Sequence, residues 1–202
     1  MSPSGVSSAY ERLLESGKHL FASRGFSNTS TIMIARAAGT SESQLVKHFG
    51  SKDGLLQAIF DHGWQALTPF PELSNFASPV ECLRRLLEQT LAGMERDPEL
   101  RDIFLLEGRR IRRENNAVML TSGYAAYVQR MEETLSEMRA RGFLSSDMSV
   151  PAVRSAIAGM CEGLLRDLIV AQRQGCGAGY TLDDARRVVD GLLNCFTGSP
   201  RV

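Results

Sequence analysis

No run of about 18 consecutive apolar residues occurs in this 202-residue chain, so the sequence holds no candidate transmembrane helix. The opening stretch from Met1 to Ser8 has neither a basic cluster nor an apolar segment, which argues against a secretory signal and makes a cytoplasmic protein the expectation. Net charge is also missing: Lys plus Arg number 23 and Asp plus Glu number 23, so no chain-wide basic excess advertises a nucleic-acid partner. Cys82, Cys161, Cys176 and Cys195 stand far apart, with no Cys-x-x-Cys pair and no histidine at metal-ligand spacing. They are expected to be free thiols rather than zinc ligands or disulfides, and no metal or cofactor is expected. His19, His48 and His62 are scattered. With no nucleophile elbow, glycine-rich phosphate loop or His-Glu metal helix, nothing points to an enzyme.

What is present is 43% hydrophobic and 23% charged residues, the balance of a folded globular protein rather than a disordered one. Strand-like alternation is absent, whereas apolar spacing of period 3.6 recurs with capping residues throughout. The expected fold is therefore all-α, with about nine helices. The first runs from Ser7 to Arg24, closed by Gly25, with Leu13, Gly17, Leu20 and Phe21 on one face. A short second helix is capped by Ser30 or Thr31 and ends at Gly39; a third, capped by Ser41, ends near Phe49. Ser51 caps a fourth that carries Leu55, Leu56, Ile59, Phe60 and Trp64 towards Leu67, before Pro69-Phe70-Pro71 breaks the chain. Ser78-Pro79 and Asp97-Pro98 each set a cap before a proline at the first helical position. A seventh helix fits 116–141, stopped by Gly142; an eighth fits 150–174; and Thr181 with Asp184 opens a last one towards Phe196.

Two short helices joined by the tight turn Gly39-Thr40, the second polar on one side, make a helix-turn-helix arrangement between Thr29 and Lys52. Ala35 and Ala38 are small where the helices must approach, and Leu45 and Phe49, at i and i+4, anchor the second helix. Glu42, Ser43, Gln44, Val46, Lys47 and His48 are left facing partly or wholly outward. A glutamine matches adenine, a serine either base type, and Val46 a thymine methyl, whereas Glu42 is repelled by phosphate unless it accepts from a cytosine amine, the alternative being that it only favours the helix N-terminus. Lys47, His48 and Lys52 suit phosphates, and Thr29, Ser30 and Ser41 place hydroxyls at helix N-termini that favour anions; the alternatives are that Ser51 and Lys52 only cap a helix and that His48 is a core imidazole. The local charge agrees in sign. From Met1 to Leu67 six cations (Arg12, Lys18, Arg24, Arg36, Lys47, Lys52) face five acids (Glu11, Glu15, Glu42, Asp53, Asp61), giving plus one, and every lysine of the chain falls here.

The segment resembles the N-terminal domain of the TetR family of transcriptional regulators. The matching positions are Leu13-Leu14, Ser16-Gly17, Leu20-Phe21, Gly25-Phe26, Thr29-Ser30, Ile34-Ala35, Ala38-Gly39, Leu45-Val46, His48-Phe49, Ser51-Lys52-Asp53 and Leu55-Leu56. Two depart from the family pattern: Val46 replaces the usual tyrosine, and Tyr10 stands where arginine is frequent. The resemblance implies a three-helix DNA-binding domain over 1–52 and a helical ligand-binding and dimerisation domain over 53–202. It implies that Thr29, Ser30, Ser41, Lys47, His48 and Lys52 hold phosphates while Glu42, Ser43, Gln44 and Val46 meet base edges. The partners implied are an inverted-repeat operator, a second copy of the chain and a small, largely apolar effector that releases the protein from DNA.

The remainder of the chain carries no motif of its own. Ala156, Gly159, Met160, Gly163, Leu164 and Leu168 in the eighth helix, and Ala185, Val188, Val189, Leu192, Leu193 and Phe196 in the ninth, give both more apolar circumference than an end helix buries within one chain. By the resemblance these two helices pair with their twofold mates. Phe60, Trp64, Phe104, Tyr124, Tyr127, Met131 and Met160 are the candidate effector-binding residues, with ordinary core packing as the alternative for each. The cluster Arg109, Arg110, Arg112 and Arg113 reads either as an anion site or as solvated charge at a helix end.

Overall fold

Most helices begin where a short polar side chain accepts from backbone N–H groups that have no intrahelical partner, as Ser8, Ser30, Ser41, Ser51, Ser78, Asp97 and Thr181 do, whereas Ser149 makes no such bond. The computed structural model describes residues 8–67, 70–107 and 121–195, and within them shows nine α-helices, one short 3-10 turn and no strand. The helices are α1 (Ala9–Arg24), α2 (Thr31–Ala37), α3 (Glu42–Phe49), α4 (Lys52–Gln65), α5 (Pro79–Arg96), α6 (Pro98–Glu107), α7 (Ser122–Ala140), α8 (Val150–Arg173) and α9 (Leu182–Asn194). The all-α expectation thus holds. Ser8 and Glu11 form a reciprocal capping box on α1, and Thr181 with Asp184 forms another on α9. Between Ser30 and Thr31, the structure chooses Ser30 as the cap of α2. The residues 116–120 expected at the start of the seventh helix, Pro69, Phe196 and the arginine cluster 109–113 lie outside the described residues.

The chain divides into two compact units, one drawn from 1–66 and 94–121, the other from 67–93 and 122–202. The first holds α1 to α4 together with α6; the helix-turn-helix lies wholly inside it. The division falls elsewhere than residue 52, because α4 and α6 both pack on α1. Leu13, Phe21, Ile34, Leu45, Leu55, Leu56, Ile59 and Ile103 are fully enclosed in one core. Gly17 and Gly63 allow the close approach of α4 to α1 and α6: a Cβ on Gly17 would come within 2.7 Å of Leu55, and one on Gly63 within 2.5 Å of Leu100. Polar ties add direction. Lys18 reaches Asp97 at 2.9 Å and Glu15 at 3.2 Å. Burial pulls the Lys18 pKa down, but these hydrogen bonds and charges outweigh it and hold the ammonium above its ordinary value. His19 Nδ1 lies 2.7 Å from Glu99.

In the second unit α7 packs on α8 and α8 on α9. Its core includes Cys82, Leu83, Leu86, Met131, Leu135 and Met138. Arg84 of α5 binds Asp190, and donates to Asn194 at 2.8 Å, fixing α9 against α5. Tyr180 donates to the Leu164 carbonyl at 2.8 Å and secures the loop between α8 and α9. Among the described residues no helix is long and apolar enough to cross a membrane, and no group of His, Cys, Asp and Glu is arranged to hold a metal ion.

Candidate nucleic-acid interface

The turn between α2 and α3 needs a residue that tolerates a left-handed backbone, and Gly39 supplies it at φ +59. Ala35 and Ala38 are both buried beneath the crossing, and Leu45 is fully enclosed, so α3 is fixed by one side. Phe49 is half-buried and stacks on Tyr10 with ring centroids 4.9 Å apart. The Tyr10 position, where an arginine is frequent in the resembling family, therefore does apolar work: it props the end of α3 against α1. Arg12 adds a second brace by donating through Nε to the Ala38 carbonyl at 2.9 Å.

With that side fixed, α3 turns Glu42, Ser43, Val46, Lys47 and His48 to solvent. Helical periodicity places Glu42, Ser43, Val46 and Lys47 on one face, while Gln44 stands at its flank and is half-buried. Val46 is 51% exposed, a branched apolar group with no core to enter. The Ser41 hydroxyl accepts from the Gln44 amide at 3.3 Å and pairs with the Ser43 hydroxyl at 2.8 Å. Ser30 accepts from the Met33 amide at 3.2 Å; accepting uses a lone pair and leaves its O–H to donate. His48 is exposed, its ring edge-on to Tyr10 at 5.8 Å.

Thr29 and Lys52 depart from the arrangement expected of phosphate ligands. Thr29 is 1% exposed, and its hydroxyl donates to the carbonyls of Gly25 at 2.9 Å and Leu20 at 3.3 Å, closing the end of α1. The Lys52 ammonium turns inward, donating to the carbonyls of Phe26 and Thr29 at 2.9 Å each and lying 4.2 Å from the centre of the Phe26 ring. It fastens the start of α4 to the α1–α2 loop, with one of its three N–H groups left for another partner. The carboxylate of Glu42 accepts from the Thr31 hydroxyl across the N-termini of α2 and α3.

Ile32 went unread in the sequence. It is the second residue of α2 and 63% exposed; an apolar group lying off the Ile34-Ala35-Ala38 stripe and two residues past the Ser30 cap was the available signal. Gly54 also went unread. A Cβ there would stand 1.9 Å from the Phe49 carbonyl oxygen, so the tight joint between α3 and α4 requires glycine.

Residues 13–59, which include α2, α3 and the turn between them, match the model of the bacterial regulatory proteins of the tetR family. That stretch is thus similar to the DNA-binding domain of the TetR family. The HTH-type transcriptional repressor Rv3405c of Mycobacterium tuberculosis is 31% identical over 87 residues, covering 43% of this chain and 45% of that relative. The chain thus matches just under half the length of this curated relative. Among solved structures, the fatty acid degradation regulator FadR of Bacillus halodurans superposes with a TM-score of 0.75 at 17% identity, over 98% of both chains. FadR of Bacillus subtilis, solved in complex with stearoyl-CoA, gives 0.74 at 17% identity over 95% of this chain and 100% of its own. These likenesses establish a TetR-type fold over nearly the whole chain. The family and its named relatives are transcriptional regulators, not enzymes.

The candidate effector residues fall in two places. Phe60, Trp64 and Phe104 form one aromatic cluster in the first unit: Phe60 stacks on Phe104 at 4.6 Å, and Trp64 meets Phe104 edge-on at 5.4 Å. Phe60 and Trp64 are buried, so in this conformation they are core. Tyr124, Tyr127, Met131 and Met160 belong to the second unit. Tyr127 and Met131 are buried there, and Tyr124 and Met160 are half-buried. Burial, with Cys161 nearby, pushes the Tyr127 phenol above its ordinary pKa against the opposing hydrogen bond from Thr90. Burial likewise pushes the Cys161 thiol up to about 11.

Proposed function

We propose that this protein is a ligand-responsive DNA-binding transcriptional regulator of the cytoplasm, a repressor that grips an inverted-repeat operator as a homodimer. The observation that carries this reading is α3: a capped helix held by Leu45 and Phe49, presenting Glu42, Ser43, Val46 and Lys47 outward as a set suited to a major groove. Gln44 at the flank, with Ser30, Ser41, Lys47 and His48, supplies the remaining base and phosphate contacts. The segment 1–52 is the DNA-binding part in this proposal, and 53–202 carries ligand binding and dimerisation.

Dimerisation is supported by α8 and α9. Val188 and Leu192 are 48% and 45% exposed, and Cβ atoms added at Gly159, Gly163 or Gly191 would meet only open space. A second copy laid against this face would bury those groups and set two recognition helices about one helical turn of DNA, or a multiple, apart. A small, largely apolar effector fits the second unit, where Tyr124, Tyr127, Met131 and Met160 gather bulky groups. The stearoyl-CoA held by the Bacillus subtilis FadR supports a ligand of apolar character. Effector binding lowers DNA affinity in this reading, a coupling of typically about 1–3 kcal/mol that acts in both directions.

Selection from a pool of random double-stranded DNA is the test. Enrichment of a palindromic motif is expected, and recovery of the starting pool would defeat the proposal. Operator affinity measured with and without a series of fatty acyl compounds then tests the effector arm.

A further inference from the structure

Glu42 sets a carboxylate on the face of α3 that is meant for a polyanion, and nothing in the packing of the domain calls for it. It is exposed, and among the described residues it forms no ion pair. A favourable interaction with the N-terminus of its own helix accounts for an acid in the first turn, but not for the hydrogen bond that ties it to Thr31 on a different helix. That bond fixes one carboxylate oxygen. The second oxygen stays open, and it can only accept.

We infer that Glu42, held by Thr31, is a specificity-determining residue that selects cytosine at one position in each DNA half-site; this rests on the DNA-binding reading above. The major-groove edges decide the base. Guanine offers two acceptors and thymine an acceptor beside a methyl, so both repel an acceptor-only carboxylate. Adenine pairs its donor with an adjacent acceptor. Cytosine alone presents an amino donor with no acceptor of its own in the groove. The negative charge also weakens binding to DNA at large, because phosphates repel it wherever no amine is met. Discrimination therefore comes both from the hydrogen bond accepted at cytosine and from the repulsion suffered elsewhere. Val46, one turn along the same face and exposed, brings apolar surface beside the carboxylate. That surface excludes water from the hydrogen bond to the base, which strengthens an ionic interaction of this kind.

The test is parallel selection from one random double-stranded DNA pool with the full-length protein and the variants Glu42→Ala, Glu42→Gln and Thr31→Val. Thermal melting first confirms that each is folded. The unaltered protein should enrich a motif with one cytosine column per half-site. Glu42→Ala should flatten that column alone, with a loss of about tenfold in preference for cytosine and a gain in affinity for unselected DNA. Glu42→Gln should move the column towards adenine, whose donor and acceptor match an amide. Thr31→Val should weaken the cytosine column and spare the others. If the unaltered protein enriches a motif that Glu42→Ala enriches identically, the inference is overturned while DNA recognition stands. A Thr31→Val motif with an undiminished cytosine column overturns the holding role of Thr31. If the unaltered protein enriches nothing, both the inference and the DNA-binding reading fall.

Discussion

Replacing Lys52 with methionine separates two roles that a lysine beside a recognition helix can play. Methionine keeps most of the apolar stem and removes the ammonium, together with its bonds to the Phe26 and Thr29 carbonyls and its position over the Phe26 ring. A hydrogen bond to a charged group contributes about 1.5–3 kcal/mol, and a cation over an aromatic ring about 0.5–1 kcal/mol where exposed. Lys52 is half-buried, so water replaces part of what is lost, and a net cost of about 2 kcal/mol is expected after that discount. For a chain of this length this corresponds to a melting point lower by about 4–8 °C. A phosphate ligand behaves differently: its removal leaves stability unchanged and lowers the slope of log affinity against log salt by about 0.9. Denaturant unfolding and DNA binding over a range of salt should therefore be measured on the same variant. Lower stability, with weaker binding of unchanged salt slope, is the outcome predicted. Unchanged stability with the slope reduced by about one unit would refute the tie and restore Lys52 as a phosphate contact.

Three further outcomes follow from the geometry. Gly54→Ala should destabilise the first unit by about 1–3 kcal/mol or more, through overpacking against the rigid Phe49 carbonyl, whereas Gly17→Ala, which meets the side chains of Leu55 and Ile59 rather than backbone, should cost less in thermal unfolding. Cys161 keeps its proton to higher pH when folded, about 11 against an ordinary 9.0. The unfolded chain thus binds fewer protons in that window, and stability should fall as pH rises from about 9 to about 11 by up to about 2 kcal/mol; denaturation against pH should show Cys161→Ala losing that share of the fall. Leu192→Arg, placing a charge on the bare face of α9, should shift a dimer to monomer in sedimentation at micromolar concentration, and an unshifted dimer would exclude that face.

The local rules of helix initiation were written in the sequence and could be read. Ser30, Ser41 and Ser51 each precede an apolar stripe, and each accepts a hydrogen bond from a backbone amide of the helix it opens. The outward face of α3 was readable as well, because Leu45 and Phe49 declare its inward side. What distant partners decide was not. Nothing local shows that the stem of Lys52 bends back to carbonyls 23 and 26 residues earlier, or that the Thr29 hydroxyl is spent on the end of α1. The amphipathic stripe of α6 shows that Phe104 is inward without naming its neighbours. Those neighbours are the α4 aromatic pair, and α6 joins the N-terminal unit rather than the later helices. Gln44 illustrates a finer limit: its residue type suits a base, yet one position of helical rotation carries it from the centre of the outward face to its edge.

The inward turn of Lys52 has a practical consequence for handling the protein. Lys18, Lys47 and Lys52 are its only lysines. Lys18 is engaged by two carboxylates and Lys52 by two carbonyls, so among the lysines amine-directed labels and coupling resins will find Lys47 first. Lys47 lies on the outward face of α3. A preparation immobilised or dye-labelled through Lys47 would have that face of α3 blocked, and under the proposed function would look inactive towards DNA while fully folded. Thiol coupling at Cys176 and Cys195, both exposed and both in the other unit, modifies no side chain of α3.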